Sequence, residues 1–98
     1  MYVVRLYERA YRDIDEIYTY LAMSLLSPDT GIKLVDTLES AIFSLKEFPE
    51  RGAVRKMGMY ANGRYRQLFV KNFIIIYSVH PAMKEVHVIT VRYSHQNF

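Results

Sequence analysis

Apolar positions recur along this chain with two different periods, and the change from one to the other divides it near its middle. Tyr2 to Leu6 is short, apolar-rich and β-prone, and reads as a first strand. From about Glu8 to Leu25 the apolar residues Ala10, Ile14, Ile17, Leu21 and Leu25 fall at helical spacing. Asp13, Asp15 and Glu16 lie off that stripe, so the helix is predicted to have one wet face. Ser27-Pro28-Asp29 then punctuates the chain, with serine as N-cap and proline at the first helical position, where no N–H is needed. A second helix is predicted to about Phe48, with Val35, Leu38, Ile42 and Leu45 on one face. So short a connection folds two long helices back on each other as an antiparallel hairpin.

Pro49 stops the second helix, and residues 49–63 form the one long irregular stretch, holding Arg51, Gly52, Arg55, Lys56, Gly58, Asn62 and Gly63. A loop of that length in a small domain is commonly functional. Three strands are predicted after it, at about Arg64–Val70, Phe73–His80 and Glu85–Tyr93. Lys71-Asn72 reads as a two-residue hairpin and Pro81-Ala82-Met83-Lys84 as a longer turn. Phe73 to Tyr77 is apolar on both faces, the pattern of a central strand. The expected fold is α+β in the order β-α-α-β-β-β, a helical hairpin packed on one face of an antiparallel sheet. The other face is expected to stay open beside the basic loop and to carry the function.

Composition narrows the classes. At 98 residues, 51% of them hydrophobic, the chain (1–98) reads as a single domain with one core. It has no cysteine, which excludes disulfides and thiolate metal sites and fits a reducing cytosol. No apolar run is long enough to span a bilayer and the first residues lack a signal-like segment, so a soluble cytoplasmic protein is expected, with no membrane partner. Net charge is only +3, but it is lopsided: residues 1–50 carry five Lys/Arg against nine Asp/Glu, and residues 51–98 carry eight against the single Glu85. That basic half points to a polyanionic or acidic partner.

Four segments carry a resemblance. They are Arg5-Leu6 with Arg9-Ala10 and Asp13-Ile14-Asp15-Glu16-Ile17-Tyr18-Thr19-Tyr20; Leu45-Lys46-Glu47-Phe48-Pro49-Glu50-Arg51-Gly52; Arg66-Gln67-Leu68-Phe69-Val70-Lys71-Asn72-Phe73-Ile74-Ile75-Ile76-Tyr77; and Val86-His87-Val88-Ile89-Thr90-Val91 followed by Arg92-Tyr93-Ser94-His95. In this order they resemble RelE/ParE toxins, and ParE members most, over almost the whole chain. The resemblance implies the β-α-α-β-β-β fold and a growth-arresting toxin of a type II toxin–antitoxin, or plasmid-stabilisation, system. It implies a cognate antitoxin as partner, through which operator DNA is contacted indirectly. It also implies one of two targets: DNA gyrase, as for ParE, or mRNA in the ribosomal A site, as for RelE and YoeB nucleases. Two departures stand out. Tyr7 occupies the place of a Ser or Thr helix cap, and Tyr93-Ser94-His95-Gln96-Asn97 replaces the family's frequent Tyr-Gly-x-Arg-Asp ending.

Each target asks for different chemistry. Cleaving RNA through its 2′-hydroxyl needs a base, an acid and positive charge on the phosphorane oxygens. For a nuclease the catalytic candidates are Arg66 as charge stabiliser, with Tyr93 and His95 as acid and base. Arg55, Lys56, Arg64, Arg66, Lys71 and Arg92 are the candidates for binding nucleic acid or an acidic antitoxin segment. Arg64 and Arg66 equally fit exposed strand positions, His95 a tail residue, and Tyr77 and Tyr93 packing aromatics. His80 and His87 read as surface groups. Three histidines without compact spacing carry no metal signal, the glycines form no phosphate loop, and no cofactor is expected. A gyrase inhibitor needs no catalytic residue, and the two long helices favour that reading over the nuclease.

Overall fold

The computed structural model describes residues 1–24, 26–95 and 98. The two helices and four strands that were expected appear in the expected order, with one short strand added inside the long loop: β1 (Val3–Leu6), α1 (Glu8–Thr19), α2 (Pro28–Phe43), the added β2 (Ala53–Val54), β3 (Tyr65–Val70), β4 (Phe73–His80) and β5 (Glu85–Tyr93). The helix stripe is continued past α1 by a π-helical turn, Tyr20–Ser24, and α2 is extended by a 3₁₀ turn, Ser44–Lys46. Leu25, the last residue assigned to the first stripe, lies outside the described residues. No described helix is long and apolar enough to cross a membrane.

The sheet runs β1-β5-β4-β3-β2. It is mixed rather than wholly antiparallel, because β1 pairs parallel to β5 (Val3 with Glu85, Leu6 with Val88) while the other pairs are antiparallel. The helical hairpin supplies the crossover that a parallel pair needs, and it returns the chain to the far side of the sheet. The two-residue β2 inside the long loop has no apolar pattern of its own and owes its existence to pairing with Arg66 and Gln67. Strand β3 begins at Tyr65, so Arg64 lies in the preceding turn, where its N–H donates to Asn62 Oδ1 at 3.1 Å.

The core lies between the hairpin and one face of the sheet. Ala10, Leu38, Ile42 and Leu45 meet Leu68, Ile75, Tyr77, Val86 and Val88, all buried. Two local expectations change on folding. Ser27 precedes Pro28 as read, but its hydroxyl donates to Thr30 Oγ1 at 2.6 Å rather than capping a backbone N–H. Asp13, assigned to the wet face, is only 8% exposed. Beyond Leu6 no described strand pairs with the β1 edge of β5, and Asp13 takes over that role. Its Oδ2 accepts from Val91 N at 3.0 Å and from the Thr90 hydroxyl, and its Oδ1 accepts from Arg9 Nε at 3.1 Å. A single carboxylate thus finishes the ladder where the strand runs out.

Candidate functional site

One node ties the long loop to the sheet. Tyr77 is fully buried at the centre of β4, and its hydroxyl accepts from Gly52 N–H at 2.8 Å. Arg66, opposite Tyr77 on β3, donates through Nη1 to Gly52 O at 2.7 Å and to Glu50 O at 3.5 Å. Gly52 has no room for a side chain, since a Cβ would run into the Gln67 carbonyl and come within 3.0 Å of the Tyr77 hydroxyl. Burial pushes the Tyr77 phenol above its ordinary value of 10, against the opposing pull of the Gly52 hydrogen bond and the Arg66 and Arg51 charges. Strand alternation puts Arg66 on the same face as Leu68 and Val70, which is the helix side. Arg66 therefore clamps the loop.

The opposite face, expected to stay open, is closed along its middle. Gln67, Ile76 and Thr90 form one cross-strand row there, and Phe69, Ile74 and Arg92 the next. Ile74 and Ile76 are 3% and 0% exposed. Arg55 reaches over this face and is itself only 8% exposed. Its Nε donates to Met59 O at 2.5 Å, its Nη1 to Gln67 Oε1 at 3.0 Å and its Nη2 to Phe98 O at 3.0 Å. Two guanidinium groups approach the Phe98 ring, that of Arg55 at 4.4 Å and that of Arg92 at 5.1 Å from its centroid. Gly58, at φ +78°, passes so close to the Phe98 carbonyl that only glycine fits.

On the helix side, a groove of about 930 Å³ opens between the hairpin and the β3–β4 turn. Ile17, Leu34 and Phe73 line it together with the cations Arg9, Lys33, Lys71 and Arg92. The turn is set by Lys71 in the left-handed region at φ 54°, and Asn72 O is held by Ser94 N and Oγ at 2.8 and 2.9 Å. The groove combines an apolar lining with four cations, and Asp13 and Glu16 also border it.

The sequence-derived site residues therefore fall into separate groups. Arg55 and Arg92 meet around Phe98, Lys71 and Arg92 line the groove, and Lys56 and Arg64 are exposed on the loop. Arg66 is not brought to Tyr93 and His95. It lies opposite Tyr77, whereas Tyr93 lies opposite Phe73, about 13 Å further along β4 at ~3.3 Å per residue. Tyr93 packs on the Phe73 ring, centroids 5.0 Å apart, with His95 at 5.9 Å from Tyr93. Gln96 and Asn97 of the C-terminal motif lie outside the described residues.

Sequence reasoning missed Gln67 and Phe98, and it also missed a cluster at one end of the sheet. His80 and His87 were expected at the surface, yet they are half-buried and stacked with centroids 4.0 Å apart. His87 Nε2 lies 2.8 Å from Glu85 Oε1 and its Nδ1 lies 3.2 Å from the Tyr7 hydroxyl. His80 Nε2 lies 2.9 Å from Ser78 Oγ, and Arg5 Nε donates to Glu85 Oε2 at 2.9 Å. The signal was present in the polar pairs Ser78/His80 and Glu85/His87, each spaced by two and so sharing a strand face. No group of three or more metal-ligating side chains is assembled among the described residues.

This fold has known counterparts. A chromosomal ParDE toxin–antitoxin system from P. aeruginosa superposes with a TM-score of 0.78 at 21% identity, covering 95% of this chain and 96% of that one. RelBE complexes are similar too. That of Mycobacterium tuberculosis RelBE2 gives 0.69 at 14% identity over 94% and 96% of the two chains, and the intact E. coli RelBE complex gives 0.67 at 15% over 98% and 100%. Among curated proteins, no sequence matches the chain. The chain thus shares its fold with these ParDE and RelBE structures. The model of the family described as ParE toxin of type II toxin-antitoxin system, parDE, matches residues 4–98, and the chain belongs to that family.

Proposed function

We propose that this toxin arrests growth by ParE-like inhibition of DNA gyrase rather than by cutting RNA. The observation that carries the choice of target is the separation of Arg66 from Tyr93 and His95. Cleavage through a 2′-hydroxyl needs base, acid and phosphorane stabiliser around one phosphate. Arg66 instead points its Nη1 at the carbonyls of the loop, Gly52 at 2.7 Å and Glu50 at 3.5 Å. A binding inhibitor needs only a rigid, complementary surface, which the long helical hairpin on its sheet supplies.

The partner is a cognate antitoxin, whose acidic amphipathic segment lies in the groove lined by Arg9, Lys33, Lys71 and Arg92. Operator DNA is then contacted only through that antitoxin. The toxin acts in the cytoplasm and needs no cofactor. The test is supercoiling of relaxed plasmid by purified gyrase at rising toxin concentration, run beside programmed ribosomes carrying mRNA. The expected result is loss of supercoiling at concentrations that leave the message intact, reversed by antitoxin. Cuts in the A-site codon that disappear with His95→Gln or Tyr93→Phe would replace this reading with a ribosome-dependent endoribonuclease.

A further inference from the structure

Tyr7 stands where a helix cap is expected, yet among the described residues its side chain caps nothing in α1. Its hydroxyl goes instead to the polar cluster at the end of the sheet, 3.2 Å from His87 Nδ1. That contact opens a relay. His87 Nε2 lies 2.8 Å from Glu85 Oε1, and Glu85 Oε2 accepts from Arg5 Nε at 2.9 Å. The hydrogen bond from His87, then that from Arg5, holds the Glu85 carboxyl below its ordinary value, so it is a carboxylate and can only accept. The proton of the neutral imidazole therefore sits on Nε2, which leaves the Nδ1 lone pair for the Tyr7 O–H. The plane of the ring is fixed by His80, stacked on it with centroids 4.0 Å apart and itself 2.9 Å from Ser78 Oγ. The order is hydroxyl, imidazole and orienting carboxylate, the arrangement by which a weak nucleophile is activated.

From this geometry we infer that Tyr7 is a nucleophilic tyrosine and the acceptor site of a phosphoryl group, with His87 as its base. The substrate class is a phosphoryl donor with a good leaving group, such as a phosphoric anhydride. Tyr7 Oη forms a bond to phosphorus while the bond from phosphorus to the leaving oxygen breaks. The leaving group departs with that bond's electron pair, and the phenol proton passes to His87 Nδ1. An external donor has access, since Tyr7 is 46% exposed. The choice of phosphorus over an acyl carbon follows from the charge in the cluster. Arg5, paired with Glu85 through Nε, keeps a largely exposed side chain whose planar guanidinium suits phosphoryl oxygens. Once attached, a phosphoryl group of about −2 charge competes with Glu85 for Arg5. This site goes beyond the gyrase reading, and neither depends on the other.

The test labels the full chain with an alkyl fluorophosphonate, a phosphorus electrophile that releases fluoride, and follows each tyrosine peptide by mass spectrometry. Tyr11 and Tyr20 serve as internal references, because at 63% and 57% exposure both are more accessible than Tyr7. Tyr7 should react faster than either by about tenfold or more, a fraction of what a positioned base supplies in an enzyme. Its rate should level off once the imidazole is neutral, whereas that of a free phenol keeps rising toward about pH 10. Both results are read on the native chain, independently of how any variant folds. His87→Gln should remove the excess and leave Tyr11 and Tyr20 unchanged. p-Nitrophenyl acetate, an acyl donor, is the parallel probe. Labelling that follows exposure, with Tyr7 no faster than the references, overturns the inference. So does a Tyr7 advantage that survives His87→Gln, or a Tyr7 that takes only the acetyl group.

Discussion

Asp13 offers the sharpest check on how this fold is held together. Replacing it with alanine leaves the Val91 N–H and the Thr90 hydroxyl, both on a strand with almost no water access, without an acceptor. Each buried group left unsatisfied costs about 1–3 kcal/mol. The ion pair with half-exposed Arg9 adds little, since surface pairs contribute about 0–1 kcal/mol. The expected loss for Asp13→Ala is therefore about 2–6 kcal/mol, or a fall in Tm of about 8 °C or more for a domain of this size. Asp15→Ala, two residues further along α1 but exposed, should change stability by less than about 0.5 kcal/mol. Urea unfolding followed by far-UV circular dichroism measures both. A double-mutant cycle with Thr90→Val should give a coupling of about 1 kcal/mol between the two side chains. Equal, small losses for Asp13→Ala and Asp15→Ala would refute the claim that this carboxylate completes the edge of β5.

Three further outcomes are expected. Tyr77→Phe leaves the Gly52 N–H unpaired and should cost about 1–3 kcal/mol in urea unfolding. It should also flatten the loss of stability above pH 10: the folded-state phenol titrates above its unfolded value, so its contribution is complete below pH 10 and disappears as pH rises through the folded value. Glu85 behaves in the opposite sense. Its hydrogen bond from His87, then that from Arg5, holds its carboxyl below the ordinary 4.5, so its contribution is complete above that pH and lost as pH falls through the lower folded value. A urea midpoint series from about pH 6 to about pH 3 should be shallower for Glu85→Gln than for the native chain. Finally, Lys33→Glu with Lys71→Glu should weaken antitoxin binding about tenfold or more in titration calorimetry, with the native affinity falling as salt rises.

The secondary structure was legible wherever one period held for several residues. Phe73–His80 and Glu85–Tyr93 begin and end where the pattern places them, because β4 is apolar on both faces and β5 alternates. The hairpin was legible from its stripes and from Ser27-Pro28. Partners were harder to read. Arg64 and Arg66 are two apart and look like one strand face, yet a start one residue later leaves Arg64 in a turn while Arg66 turns toward the loop.

What the sequence determined by itself is the two helices and four of the five strands, their order, the buried stripe of each helix and the basic character of the second half, since all of these follow from neighbours a few residues apart. The tertiary structure alone decided that β1 lies parallel beside β5, that Asp13 closes that strand's edge from 78 residues away, and that Arg55 and Arg92 both approach the Phe98 ring. Those outcomes depend on which unpaired donors and charges remain once the layers have packed. A long-range partner for a buried N–H or guanidinium has no local signature in the chain.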